Sequence, residues 1–318
     1  MNQILKTIKP VIKKSQYVKI NPEKIRELCK DFKLEDMQRW MESSPTRLLN
    51  LHSKKKLNFL FVFNSINFCY WGEPKWTIKY QGKEYDGVWG MICALKRAID
   101  YSKPILDFNY LSNITKKELE EILKGNIKIP LFQKRLEILR EVGKTMTQKY
   151  KGDFKNIINS SKNDALKLLK IITTDFPSFN DYSIYDNKKV CFHKRAQLLI
   201  SDIYRTFKGK SYGKLKNVEN LTAFADYKIP QTLRKLGILG YSQDLAEKID
   251  NKILIPKDSK EEIEIRANMI WAIELIKNKL KTKIPKISSM DIDSYLWLMG
   301  QKKSPDDKPY HKTLTIAY

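Results

Sequence analysis

The stretch from Leu57 to Trp71, LNFLFVFNSINFCYW, is too apolar and too aromatic to lie on a surface, so the rest of the chain must fold around it. It reads as a buried helix. Its conspicuous polar members, Asn64 and Asn67, then need hydrogen-bond partners, from the backbone or from a ligand.

The neighbouring segments carry the apolar spacing of helices. Asn21 and Pro22 open one over residues 21–32, with Ile25, Leu28 and Phe32 on one face. Others are expected over 87–100 with Met91, Leu95 and Ala98 inward, over 114–125 as a surface helix closed by Gly125, over 130–150 opened by Pro130, and over 163–173. The longest, 260–280, places Ile265, Met269, Ala272 and Leu275 on its buried stripe. Residues 76–87 and 182–192 alternate instead, and read as small hairpins turning at Gln81-Gly82 and at Asp186-Asn187. The class is therefore mainly α. A chain of 318 residues can bury one large core, and we expect a single domain over 1–318 with a subsidiary flap, its first 50 residues helical but less distinctive.

A net charge of +24 invites a nucleic-acid reading. The kind of charge weakens it: of the 60 basic residues only ten are arginine, and the fifty lysines are scattered through every segment. Direct nucleic-acid binding is not expected. Cys29, Cys69, Cys93 and Cys191 are widely separated and form no zinc or disulfide pattern. The N-terminus lacks a signal-peptide core, and nothing approaches the ~20 apolar residues of a membrane span. A cytoplasmic protein is the expectation.

Three places carry candidate chemistry. In LTAFADYKIPQTLRKLGIL, residues 221–239, Pro230 can open a helix that Gly237 closes, and Asp226 sits on the approach between Phe224 and Tyr227. That carboxylate is either a helix cap or an anchored, partly desolvated group available to a ligand. Lys194 and Arg195 begin a helix over 193–207 whose inward stripe is Ala196, Leu199, Ile200 and Ile203. Cations at a helix N-terminus make a phosphate seat, unless they are simply solvated. Near the end, Asp291 and Asp293 stand among apolar neighbours; two apart on a helix, at most one can share a site with Trp297. The apolar C-terminal segment, which carries His311, is expected to be tied onto the core. Glycine-rich nucleotide loops and H-E-x-x-H are absent from the sequence.

Read in order, NFCYW (67–71), FPSFNDY (176–182), KRAQLLISD (194–202), FADYKIPQ (224–231), EIEIRA (262–267), DIDSYLW (291–297) and HKTLTIAY (311–318) resemble the queuosine salvage protein family, over residues 55 to the end. The resemblance implies an all-helical fold similar to helix-hairpin-helix DNA glycosylases, and hydrolysis of queuosine 5′-phosphate to queuine and ribose 5-phosphate. It implies that Asp226 is the catalytic carboxylate. The chain departs from the family pattern at Lys228, where arginine is usual, at Asn64, where an aspartate is expected, and at Leu314 and Ala317.

The chemistry of that reaction sets further expectations. A 7-deazaguanine has carbon where other purines offer N7 for protonation, so catalysis must fall on an oxocarbenium-like sugar and on other hydrogen bonds to the base. Queuine also carries a cationic secondary amine, so an acid in its pocket is expected, with Asp181, Asp291 and Asp293 as candidates. Phe179 or Trp297 could stack on the base, and Asn67 could bond to it. Lys194, Arg195 and His311 are the candidate phosphate ligands, with Tyr318 less certainly placed. No metal or other cofactor is required. The competing reading is a nucleic-acid-binding protein, or a base glycosylase acting on RNA or DNA.

Overall fold

The structure is a computed structural model that describes residues 2–33, 40, 44–45, 51–302, 304–305 and 307–318. At its centre is α3 (Ser53–Ser65), buried continuously from Leu57 to Ser65. Phe61 explains the burial: its ring meets Phe108, Phe154, Phe176 and Phe179 at centroid separations of 4.5–5.9 Å. Packed around α3 are α4 (Gly87–Asp100), α7 (Phe132–Tyr150), α8 (Phe154–Ser160) and α10 (Lys194–Thr206).

The central helix starts before the expected run and stops inside it. Residues 66–71 leave α3 in non-helical backbone, so Asn67 is a loop residue. Two buried arginines cause this. Arg195 donates to the carbonyls of Asn64 and Ser65, and Arg135 to those of Phe68 and Cys69, so guanidinium groups take the carbonyls at this end of the helix. The Phe68 ring lies between the two cations, 4.3 Å from Arg135 and 5.2 Å from Arg195.

The second helical group is built on α13 (Lys260–Leu280), against which pack α1 (Gln3–Lys14), α2 (Pro22–Asp31), α11 (Lys228–Lys235) and α14 (Ser289–Met299). Neighbours on most sides bury it nearly all round, including Ile263, Ile265, Arg266, Met269, Ile270 and Ile273. Leu275, expected inside, is instead 36 % exposed. The remaining helices are α5 (Phe108–Asn113), α6 (Lys116–Ile122), α9 (Ala165–Asp175) and α12 (Gln243–Asp250).

Two further expectations need correction. Helix α6 ends at Ile122 and buries Leu119 and Ile122, so it is not closed by Gly125 and is not confined to the surface. Gly125 serves close packing: a Cβ there would collide with the Trp76 indole and the Thr77 carbonyl. Helix α7 begins at Phe132, after Leu131 in left-handed backbone, while the Pro130 carbonyl accepts from Arg135.

Both hairpins form as expected. β2 (Thr77–Tyr80) pairs with β3 (Lys83–Asp86), and β4 (Tyr182–Tyr185) with β5 (Lys188–Cys191). Their turns take positive φ at Gln81, Gly82, Asp186 and Asn187, as two-residue hairpin loops require. A third antiparallel pair, β1 (Val18–Ile20) with β6 (Leu239–Tyr241), joins distant segments and left no local signature. The C-terminal segment is tied down: Ile255 N–H donates to Lys312, Thr313 Oγ1 to Ile255 O, and Cys69 N–H to Tyr318 O. No helix among the described residues is long and apolar enough to cross a membrane.

Candidate active site

Asp226 precedes α11, and its Oδ1 accepts from the N–H groups of Lys228 and Ile229, both at 2.9 Å. These are helix donors with no carbonyl partner of their own, so the carboxylate does cap the helix. It also lines a cavity of ≈ 170 Å³, so capping and availability coincide in one residue. Pro230 falls within the first turn of α11, and Gly237 follows its end with φ +68°.

Asp293 and Trp297 reach the same cavity from α14, one turn apart. Asp293 accepts the Phe224 N–H at 2.7 Å, which fastens α14 to the backbone two residues before Asp226. Lys194, buried at the start of α10, completes a trio with the buried Asp293 and the half-buried Asp226. Burial pushes the Asp226 carboxyl up, against the opposing pull of Lys194 and the two N–H donors. Asp293 is pushed up further, by burial and then by the charge of Asp226. Burial also lowers Lys194, against the pull of both acids.

Two partly desolvated carboxyls lining one cavity cannot both ionise cheaply. Asp226 has two backbone donors and Asp293 one, so the first negative charge belongs on Asp226 and the retained proton on Asp293. The arrangement sets a carboxyl fixed by two N–H donors, a second carboxyl raised further by burial, and a lysine around one cavity.

The walls are aromatic. Trp89 of α4 meets Trp297 edge to face at 5.8 Å, and Trp40 packs on both at 5.6 and 5.8 Å. Across the cavity run Asn67, Phe68, Tyr70 and Trp71, with the Tyr70 hydroxyl donating to Asn67 Oδ1 at 3.0 Å. Tyr227, Lys228, Tyr310 and Tyr318 line it as well.

Of the expected site residues, Asn67, Lys194, Asp226, Asp293, Trp297 and Tyr318 meet at this cavity. The others lie elsewhere. Phe179 is buried, stacked on Phe61 at 5.9 Å beneath the Arg195 guanidinium. Asp181 makes a two-pronged pair with Arg266, at 3.0 and 2.6 Å, and accepts the Lys194 N–H. Asp291 closes the capping box of α14 with Ser288 and pairs with Arg205 at 3.0 Å. Arg195 spends its guanidinium on the carbonyls of Asn64, Ser65 and Ser178, away from the cavity. His311 is buried 3.3 Å from the Tyr318 hydroxyl, and burial lowers its pKa to about 3, so it is neutral and offers no cation to a phosphate.

Of the other cavity residues, the sequence singled out neither Trp89 nor Tyr310, named Tyr70 and Tyr227 only as members of motifs or as neighbours of Asp226, and marked Lys228 only as a departure from the family pattern. For Trp89 a signal existed: it stands outside the inward stripe of Met91, Leu95 and Ala98, an apolar residue without a core position. Tyr70 and Tyr227 had one in the NFCYW and FADYKIPQ motifs, while Tyr310 gave none. Among the described residues no group of three or more His, Cys, Asp or Glu could hold a metal ion.

Comparison with known proteins agrees with the motifs around this cavity. The family model described as queuosine salvage protein matches residues 48–318. A queuosine 5′-phosphate N-glycosylase/hydrolase from Sphaerobacter thermophilus is 37% identical, covering 99% of this chain and 97% of its own. Proteins of the same name from Nematostella vectensis and Bos taurus are 36% and 35% identical, over 84% and 82% of this chain and 83% and 81% of theirs. The matched region holds every cavity residue described above except Trp40, and this chain therefore belongs to the queuosine salvage protein family.

Proposed function

We propose that the chain is an N-glycosidase acting as a single domain over residues 1–318, which hydrolyses queuosine 5′-phosphate to queuine and ribose 5-phosphate for reuse in tRNA modification. The observation that carries this reading is the Asp226–Asp293–Lys194 trio in a cavity walled by three indoles, in a chain whose relatives bear that activity in their names. We extend the reading to an architecture akin to helix-hairpin-helix glycosylases and to a cytoplasmic location, which the four free, buried cysteines support.

In the reaction the C1′–N9 bond breaks and its electron pair leaves with the base. Asp226, held by two backbone donors, faces the oxocarbenium that develops and takes a proton from the attacking water. Water oxygen bonds to C1′. Asp293, a carboxyl that burial favours in its neutral form, gives its own proton to the departing base; Asp226 is left protonated and Asp293 ionised until exchange with solvent resets both. Lys194 keeps Asp226 ionised. The indoles of Trp89 and Trp297 provide the surface on which the flat base stacks. With Asp181 and Asp291 committed to arginines, the queuine amine falls to Asp86 at the cavity rim, where it would take the place of the exposed Lys75 ammonium now 3.3 Å from that carboxylate. The 5′-phosphate falls to Lys228, whose ammonium lies 5.3 Å from the Tyr310 ring.

The test is mass spectrometry of purified protein incubated with queuosine 5′-phosphate, AMP and GMP in parallel. Queuine and ribose 5-phosphate should form from the first alone. No queuine release would reject the reading, and equal hydrolysis of AMP or GMP would reduce it to a broad nucleotide glycosidase. A salt-dependent gel shift on tRNA or duplex DNA without queuine release would favour the nucleic-acid-binding alternative, to which the net charge of +24 points.

A further inference from the structure

Asp202 lies on α10, two turns beyond Lys194, with 0 % exposure and no face on the cavity. A buried carboxylate is normally matched by a cation or by several charge-assisted donors. This one is met by two neutral side chains: Oδ1 accepts the Trp40 indole N–H at 3.1 Å, and Oδ2 accepts the Asn64 amide at 2.9 Å. Asn64 in turn is braced on the Leu60 carbonyl of its own helix at 3.1 Å. Arg205 and Lys194 favour its charge only through space, without a hydrogen bond to it, and burial outweighs all of these, pushing the acid up to about 7.

What the acid does hold is an indole. Trp40 is 7 % exposed and lines the cavity, where its ring closes a triangle with Trp89 and Trp297. An indole can be buried in several orientations by packing alone, and its one N–H, bonded to a fixed acceptor, selects among them. We propose that Asp202 is a positioning residue of the site: through the Trp40 N–H it sets the indole that completes the three-tryptophan wall against which the substrate base stacks. The proposal rests on the glycosidase reading for the identity of that base.

The experiment compares Asp202→Leu, which removes the acceptor, Asp202→Asn, which keeps a carbonyl oxygen for the indole, and Trp40→Phe, which removes the donor. KM and kcat for queuosine 5′-phosphate are measured, and calorimetry gives Kd for queuine and for ribose 5-phosphate separately. Asp202→Leu and Trp40→Phe should each raise KM and the queuine Kd about tenfold, the range of one lost base-stacking or orienting contact, and leave the ribose 5-phosphate Kd unchanged. Asp202→Asn should recover most of the loss. On the Trp40→Phe background, Asp202→Leu should add nothing to the queuine Kd. Equal losses for both products, or a full additional loss on that background, would overturn the proposal. If Asp202→Leu does not fold, Trp40→Phe alone decides, and an unchanged queuine Kd overturns it. Should wild-type protein fail to cleave queuosine 5′-phosphate, the glycosidase reading fails by itself. The Asp202–Trp40 hydrogen bond is then tested by the fluorescence difference between each protein and its Trp40→Phe counterpart: a change on Asp202→Leu supports the proposal and no change overturns it.

Discussion

Replacing Asp226 by asparagine separates its two roles, because the asparagine carbonyl can accept the same Lys228 and Ile229 N–H groups while the charge disappears. The helix cap is kept, so folding stability should hold within a few tenths of a kcal/mol. Asp226→Ala loses the cap and should cost about 1 kcal/mol, or about 2 °C in Tm for a chain of this size. Catalysis should fall with both. A carboxylate about 4 Å from a developing cation contributes about 4 kcal/mol at an effective dielectric near 20, which corresponds to roughly 10³-fold in kcat. Initial rates of queuine release, read by mass spectrometry, are to be set beside calorimetric Tm and substrate Kd. Asparagine should lower kcat about 10³-fold with Tm and Kd nearly unchanged, and alanine should add the loss in Tm. An asparagine variant turning over within tenfold of wild type would show that Asp226 is a cap and no more, and the mechanism proposed for this cavity would be wrong.

The pH–rate profile should have an acid limb above the usual carboxylate range, because burial raises Asp226; Lys194→Met should move that limb to still higher pH, since the lysine is the main influence holding the carboxyl down. A limb that stays in place would remove Lys194 from its role. Lys228→Ala should raise KM for queuosine 5′-phosphate at least fivefold and leave the unphosphorylated nucleoside unaffected, whereas Arg195→Met should lower Tm and weaken both alike, since its guanidinium serves three buried carbonyls. The opposite pattern would return the phosphate to Arg195. Asp202, raised to about 7 in the folded protein, holds a proton from about pH 4 to pH 7 that the unfolded chain has lost, so wild-type stability should decline as pH rises through that window. Asp202→Asn cannot lose a proton, and its stability relative to wild type should grow by up to roughly 4 kcal/mol from pH 4 to pH 8, measured by urea denaturation; a difference independent of pH would contradict the assignment.

Local chemistry was legible in the amino-acid sequence. Helix periodicity, the two hairpin turns, the apolar run of α3, and Asp226 beside a helix start depend on residues a few positions apart, and each is found in the structure. The ordered motifs from Asn67 onward identified the family for the same reason, since they record chemical identity directly. Tertiary structure decided which acids and cations were free. Asp181, Asp291 and Asp293 look alike as acids in apolar sequence, but Arg266 and Arg205 arrive from other helices and engage the first two, leaving Asp293 for the cavity. Lys194 and Arg195 are adjacent, and the helical turn between them sends one to the cavity and the other to the end of α3. Trp40, Trp89 and Trp297 come from three distant segments, so no spacing announced their wall. Burial, charge partners and long-range contacts are properties of the folded surroundings, and a residue's type and immediate neighbours do not contain them.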